Sequence, residues 1–206
     1  MLTNARNFLA GLVLSLAFVA PAAAADGALD TFKARHGKVV ELVKKGASND
    51  VLQKEVDALL NYKALAETSL GGPARYAGKC APRCAEFETL LARLIRENYL
   101  KRIRSDKKYD LTYLGEEVKT RGTNVLTQIA LTRDGKPEVV EVVYVMEQTP
   151  EGWKVGDIIT DGVSLAKNYK FEFNKILKDK GIDELISRLD SKVSELAARP
   201  VAPAKK

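Results

Sequence analysis

The residues best able to do chemistry are few. Cys80 and Cys84 bracket the string Ala81-Pro82-Arg83, and one histidine, His36, stands far upstream. Thiol–disulfide exchange of the thioredoxin kind wants C-x-x-C, and a zinc site wants more ligands than two thiols and one distant imidazole, so neither pattern is met. A local disulfide between Cys80 and Cys84 is the chemistry that remains. Four residues of helix rise about 6 Å, near the upper end of the Cα separation a disulfide accepts, so the bridge suits a turn leading into a helix, with Pro82 in the first turn. Ser164 lies in Gly162-Val163-Ser164-Leu165, which lacks the second glycine of a nucleophile elbow. Its hydroxyl reads as a helix cap or a buried group. Asp157 and Asp161 could pair as carboxylates, or serve as a strand-edge charge and a turn residue. Gly71-Gly72-Pro73 follows a helical pattern and has no Lys-Ser/Thr behind it, so it is not a phosphate loop. No catalytic residue, metal ligand set or cofactor is expected.

The compartment decides how the cysteines are read. Arg6 precedes an apolar run from Phe8 to Ala20, then Pro21 and Ala22-Ala23-Ala24-Ala25. That is the pattern of a secretory signal peptide over residues 1–25, cleaved after Ala25, and the run is too short for a membrane span. No cysteine follows the alanines, so a lipid anchor is not expected. In an exported chain the two thiols oxidise. The 206-residue chain has 33 basic and 27 acidic residues; without Arg6 the balance is 32 to 27, or +5. Export removes nucleic acid as a partner. Mild, interspersed basicity fits anionic membranes or acidic protein surfaces, or simply a solvated exterior.

Those residues must be positioned by two kinds of element. Over 26–105 apolar residues recur at helical spacing: Phe32, Val39, Val40 and Val43, then Val51, Leu52, Val56, Leu59 and Leu60. Ser48 or Asn49 is placed to cap the second helix. A third runs from about Tyr62 to Leu70 and stops at Gly71-Gly72-Pro73. A fourth, from Pro82 to Ile103, carries Phe87, Leu90, Leu91, Leu94, Ile95 and Leu100 on a wide apolar face. From Tyr109 β-branched and aromatic residues take over, predicting an antiparallel meander of four strands near 109–114, 117–132, 138–148 and 152–161, turned at Asp134-Gly135 and Pro150-Glu151-Gly152. The third strand is apolar on both faces, which suggests cover by helices or ligand on both, or a plain sandwich. A helix follows from Val163 to Lys178, a break at Lys180-Gly181, and a last helix from Asp183, its natural cap, to Ala197. The expectation is one α+β domain over 26–198 with a frayed tail at 199–206.

One stretch is specific. Trp153-Lys154-Val155-Gly156-Asp157-Ile158-Ile159-Thr160-Asp161-Gly162-Val163-Ser164-Leu165-Ala166-Lys167-Asn168-Tyr169, then Phe173, Lys180-Gly181-Ile182-Asp183 and Leu185, resembles the signature of the MlaC family, the toluene-tolerance auxiliary components. Weaker similarity reaches upstream through Tyr144, Phe87 to Tyr99, and Val56-Asp57 to Leu70. Gly156 stands where the family usually has Tyr, and the Cys80 to Cys84 segment replaces a stretch without cysteines.

The resemblance implies helices on a twisted antiparallel sheet with an NTF2-like shape, enclosing an apolar cavity for phospholipid tails. It implies a periplasmic carrier of phospholipid, acting as a monomer between an outer-membrane lipoprotein complex and an inner-membrane ABC transporter with its MCE-domain protein, and hydrolysing nothing. Phospholipid is then cargo rather than cofactor. At roughly 0.8 kcal/mol per buried CH₂, a sixteen-carbon chain costs on the order of 12 kcal/mol to expose, so a cavity has to stand in for the bilayer. The expected lining is Leu91, Leu94, Val142, Tyr144, Val163, Tyr169 and Phe173. An envelope adaptor with a filled core, or an enzyme on the same scaffold using Tyr144 or Tyr169 on an apolar substrate, are the other readings.

Overall fold

The structure is a computed structural model and describes residues 27–104, 110–133 and 135–198. The expected signal peptide over 1–25 and the expected frayed tail at 199–206 lie outside those residues. Helices α1 (Ala28–Lys44), α2 (Asn49–Leu59), α3 (Tyr62–Ser69), α4 (Pro73–Cys80) and α5 (Cys84–Arg104) precede strands β1 (Asp110–Lys119), β2 (Gly122–Arg133), β3 (Lys136–Thr149), β4 (Gly152–Thr160) and β5 (Val163–Ser164), and α6 (Leu165–Ala198) closes the order. The strands form one antiparallel sheet in sequence order. The class is α+β as expected, with five strands instead of four.

The helices gather on the sheet face that carries Val125 and Thr127 of β2, Val140, Val142, Tyr144 and Met146 of β3, and Val155 of β4, all buried. Alternation puts Leu114, Val139 and Glu141 on the other face, where they are exposed. Val143, in the middle of that face, is buried. The cover expected on both sides of β3 is therefore one-sided among the described residues. Phe32, Leu52, Val56, Leu59, Leu65, Phe87, Leu185 and Val193 complete a core shared by every helical layer.

Specific polar contacts fix the helices. Asn61 caps α3 by accepting from the Ala64 N–H at 3.2 Å, while its own N–H donates to the Val155 carbonyl at 2.8 Å, which pins the α2–α3 junction to β4. Arg96 of α5 donates to both oxygens of Asp57 at 3.0 Å, and Tyr62 donates to the same carboxylate at 2.7 Å. One fork thus ties α2, α3 and α5.

Several boundaries differ from expectation. The expected break between the first two strands near Gly115 is a bulge within β1, where the register shifts between Tyr113 and Gly115, and the true turn is Thr120-Arg121. Gly122 closes that turn with φ 101°, and a Cβ there would lie 2.2 Å from the Met146 carbonyl oxygen. Residues 73–80 form α4, with Pro73 in its first turn, where a missing N–H costs nothing. Pro82 stays outside α5, in the turn between α4 and α5. Ser48 sits at the N-cap of α2 but its side chain makes no capping bond, and Asp183 accepts from Arg83 at 2.6 Å. Val163 and Ser164 extend the sheet instead of starting the helix. The break at Gly181 is present, with φ 78° between two helical halves of α6.

Candidate functional site: a cavity between sheet and helices

The start of α6 is set by a small polar unit. Ser164 is its N-cap: Oγ accepts from the Lys167 N–H at 3.0 Å and donates to Asp157. The same Asp157 carboxylate accepts from the N–H groups of Ile158 at 2.8 Å and Ala166 at 3.0 Å. Ser164 is thus the helix cap that its sequence context suggested, and Asp157 supports it. Asp161 accepts from the Glu141 N–H at 3.1 Å and does not pair with Asp157.

So anchored, the first turn of α6 leans over the sheet and leaves space. A cavity of about 250 Å³ lies between the sheet, the C-terminal half of α5 and the first turn of α6. On α5 its lining follows one helical stripe: Ile95, Asn98, Tyr99, Arg102 and Ile103. Leu165, Asn168 and Tyr169 come from α6; Ile129, Val142, Tyr144, Ile158 and Thr160 from the middle strands; Val163 and Ser164 from β5. Among the described residues no carboxylate lines it, and Arg102 is the one charged side chain in its lining. Burial, joined by the nearby Glu172, pushes the Tyr169 hydroxyl up to about 12, despite Arg102 pulling the other way.

Of the seven residues expected to line a cavity, Val142, Tyr144, Val163 and Tyr169 do so. Val163 is 62 % exposed and stands at the mouth. Leu91, Leu94 and Phe173 are core instead: Phe173 stacks on Tyr169 at 5.2 Å between ring centroids and meets Phe87 edge-on at 5.8 Å. Those rings fill the space that the sequence pattern left open. Missed were Asn98, Arg102, Thr160 and Asn168, polar residues at the ends of apolar stripes. The α5 stripe could have revealed the first two, because 95, 98, 99, 102 and 103 continue the face one turn past Leu94.

An aromatic wall bounds the cavity on the α1 side. Tyr144 packs on Phe32 at 4.2 Å, and the His36 ring lies 6.5 Å from Tyr99, 6.2 Å from Tyr144 and within hydrogen-bond reach of the Tyr113 hydroxyl at 3.2 Å. Beyond it is a groove of about 280 Å³ lined by His36, Val40, Leu111 and Tyr113. Burial lowers the His36 pKa to about 4, so the ring is neutral near pH 7.

Cys80 and Cys84 are bridged, joining the end of α4 to the start of α5. Among the described residues no group of three His, Cys, Asp or Glu side chains could hold a metal ion, and no helix is long and apolar enough to cross a membrane.

The MlaC protein family model matches residues 26–191. Among solved structures, a phospholipid-binding protein from Ralstonia solanacearum, determined in complex with a phospholipid, superposes with a TM-score of 0.66 at 22 % identity, over 84 % of this chain and 99 % of that one. No curated protein matches the chain.

Proposed function

This chain belongs to the MlaC family, and from that premise we propose that it is a periplasmic phospholipid-binding carrier whose cargo tails enter the cavity between α5, α6 and the sheet. The observation that carries the reading is the lining: a mostly apolar wall with a few polar groups and, among the described residues, no acid. A binding site for acyl chains needs apolar surface with few polar groups. The Ralstonia relative, crystallised with a phospholipid on the same fold, supports the same cargo class. In this reading the carrier works as a monomer, passing lipid between an outer-membrane lipoprotein complex and an inner-membrane ABC transporter with its MCE-domain protein.

An enzyme on this scaffold would need a group inside the cavity that exchanges protons near neutral pH. The lining offers tyrosines, and Tyr169 is pushed away from neutrality to about 12. That weighs toward binding without turnover.

The space sets a condition on the cargo. An apolar cavity of roughly 150 Å³ takes one benzene, so about 250 Å³ takes on the order of ten carbons. Two long tails therefore need more room than the cavity has as it stands. Native mass spectrometry of the protein purified from a Gram-negative periplasm tests the reading. One diacyl phospholipid per chain is expected, with lower occupancy in Val142→Trp, which fills the cavity. A bare chain that also takes no lipid from vesicles would overturn it.

A further inference from the structure

Phe171 is 78 % exposed on α6, an unusual place for a phenylalanine in a chain with so few aromatics. At about 100° per residue, the positions that share its face are Lys167, Asn168, Asn174, Lys175 and Lys178. No acid falls among them; Asp179 and Glu172 border the face at roughly 80° and 100° from Phe171, on the side away from Lys170, and Glu172 accepts from Asn168 at 3.3 Å. Beside this face, Arg75 and Lys79 of α4 meet Lys170 of α6 at the Gly71-Gly72 turn. Their side chains come within 3.5, 3.5 and 3.8 Å of where a Cβ on Gly71 would stand. Lys79 donates to Asn174, which joins the cluster to the Phe171 face. Among the described residues none of these six cations has a carboxylate partner. Their crowding also lowers the Lys79 pKa, through burial first and then through Arg75 and Lys170.

We propose that this face of α6, with Phe171 at its centre and Arg75, Lys79, Lys167, Lys170, Lys175 and Lys178 around it, docks on the anionic surface of a lipid bilayer. Unpaired cations held close together repel one another and gain when a surface of phosphate groups supplies the missing charge. An exposed aromatic ring amid lysines matches the interface of a membrane, where the ring enters the headgroup boundary and long lysine stems keep their charges at the phosphates. Asn168 lines the cavity and also borders this face, so docking brings the cavity mouth beside the bilayer. The inference goes beyond cargo binding, because it stands on charge and exposure outside the cavity.

Flotation of the purified chain with vesicles of phosphatidylglycerol and phosphatidylethanolamine, against vesicles of phosphatidylcholine, tests it. The wild type should float with the anionic vesicles at low salt and be released by high salt. Replacing three surface lysines together (K167Q, K175Q, K178Q) should weaken partitioning about 100-fold, from roughly fivefold per charge. F171S should weaken it about tenfold while leaving the salt dependence. Native mass spectrometry of the same variants reports cargo separately, so loss of docking with cargo retained is distinguishable from failure of the carrier reading. A triple variant that floats like the wild type overturns the proposal. So does a wild type that ignores anionic vesicles, which would assign the cations to an acidic protein surface instead.

Discussion

The cap of α6 gives the sharpest test, because the cavity exists only if α6 starts where it does. Ser164→Ala removes the acceptor for the Lys167 N–H, worth about 1 kcal/mol as a cap, and the hydroxyl bond to Asp157, worth about 1.5 kcal/mol as a hydrogen bond to a charged group. Asp157→Ala removes that same bond and strands the N–H groups of Ile158 and Ala166, for a further loss of about 1.5 kcal/mol. The singles should then cost about 2.5 and about 3 kcal/mol. The double variant should cost about 4 kcal/mol rather than the full sum, since the Ser164–Asp157 bond is counted in both singles. Urea denaturation of the four proteins measures this, with an unchanged m-value required for the comparison. Additivity within about 0.5 kcal/mol would mean that the two side chains act separately, and the account of the cap as one unit would fail.

His36 should make stability fall in mild acid. Its folded pKa of about 4 lies below the ordinary 6.5, so the unfolded chain binds a proton more readily. The stability from keeping the ring neutral is full above about pH 6.5 and is lost as pH falls toward about 4. Between about pH 7 and about pH 5 that is on the order of 2 kcal/mol, and His36→Phe should remove this part of the slope in paired denaturation curves; an unchanged slope would place the pH dependence elsewhere. The bridge between Cys80 and Cys84 closes a short loop, for which chain entropy gives about 2 kcal/mol. A Cys80→Ala, Cys84→Ala variant should unfold at correspondingly lower denaturant, and reductant should have no effect on it while destabilising the wild type.

The elements were legible where one force dominated. Long apolar stripes with a clear stop, such as α5 or the strands on either side of Asp134-Gly135, follow from periodicity and turn chemistry. Errors cluster where two local readings compete. Gly115 looks like a turn because glycine suits one, yet the β-branched and aromatic residues on both sides hold the strand together and the glycine is absorbed as a bulge. Pro82 looks like a helix start, but Pro73 takes that role one helix earlier and the bridge to Cys84 ends α4 at Cys80. Val163 and Ser164 continue the sheet because Ser164 must stand outside the helix to cap it.

The cavity was legible only in half, and the reason is geometric. A leucine that fills space and one that borders it have the same spacing and the same neighbours in sequence. Leu91 and Leu94 belong to the filled core, whereas Ile95 and Tyr99 of the same helix border the cavity. Phe173 reaches the upper half of α5 through Phe87 and closes it. Tyr169 stacks on Phe173 and, with Leu165 and Asn168 of the same turn, lines the space opposite the lower half of α5 without filling it. The polar residues Asn98 and Arg102 continue the same stripe toward the end of α5, where Arg102 is exposed. In a sequence that binds an apolar chain, the informative signal is therefore the apolar stripe that runs on into polar residues.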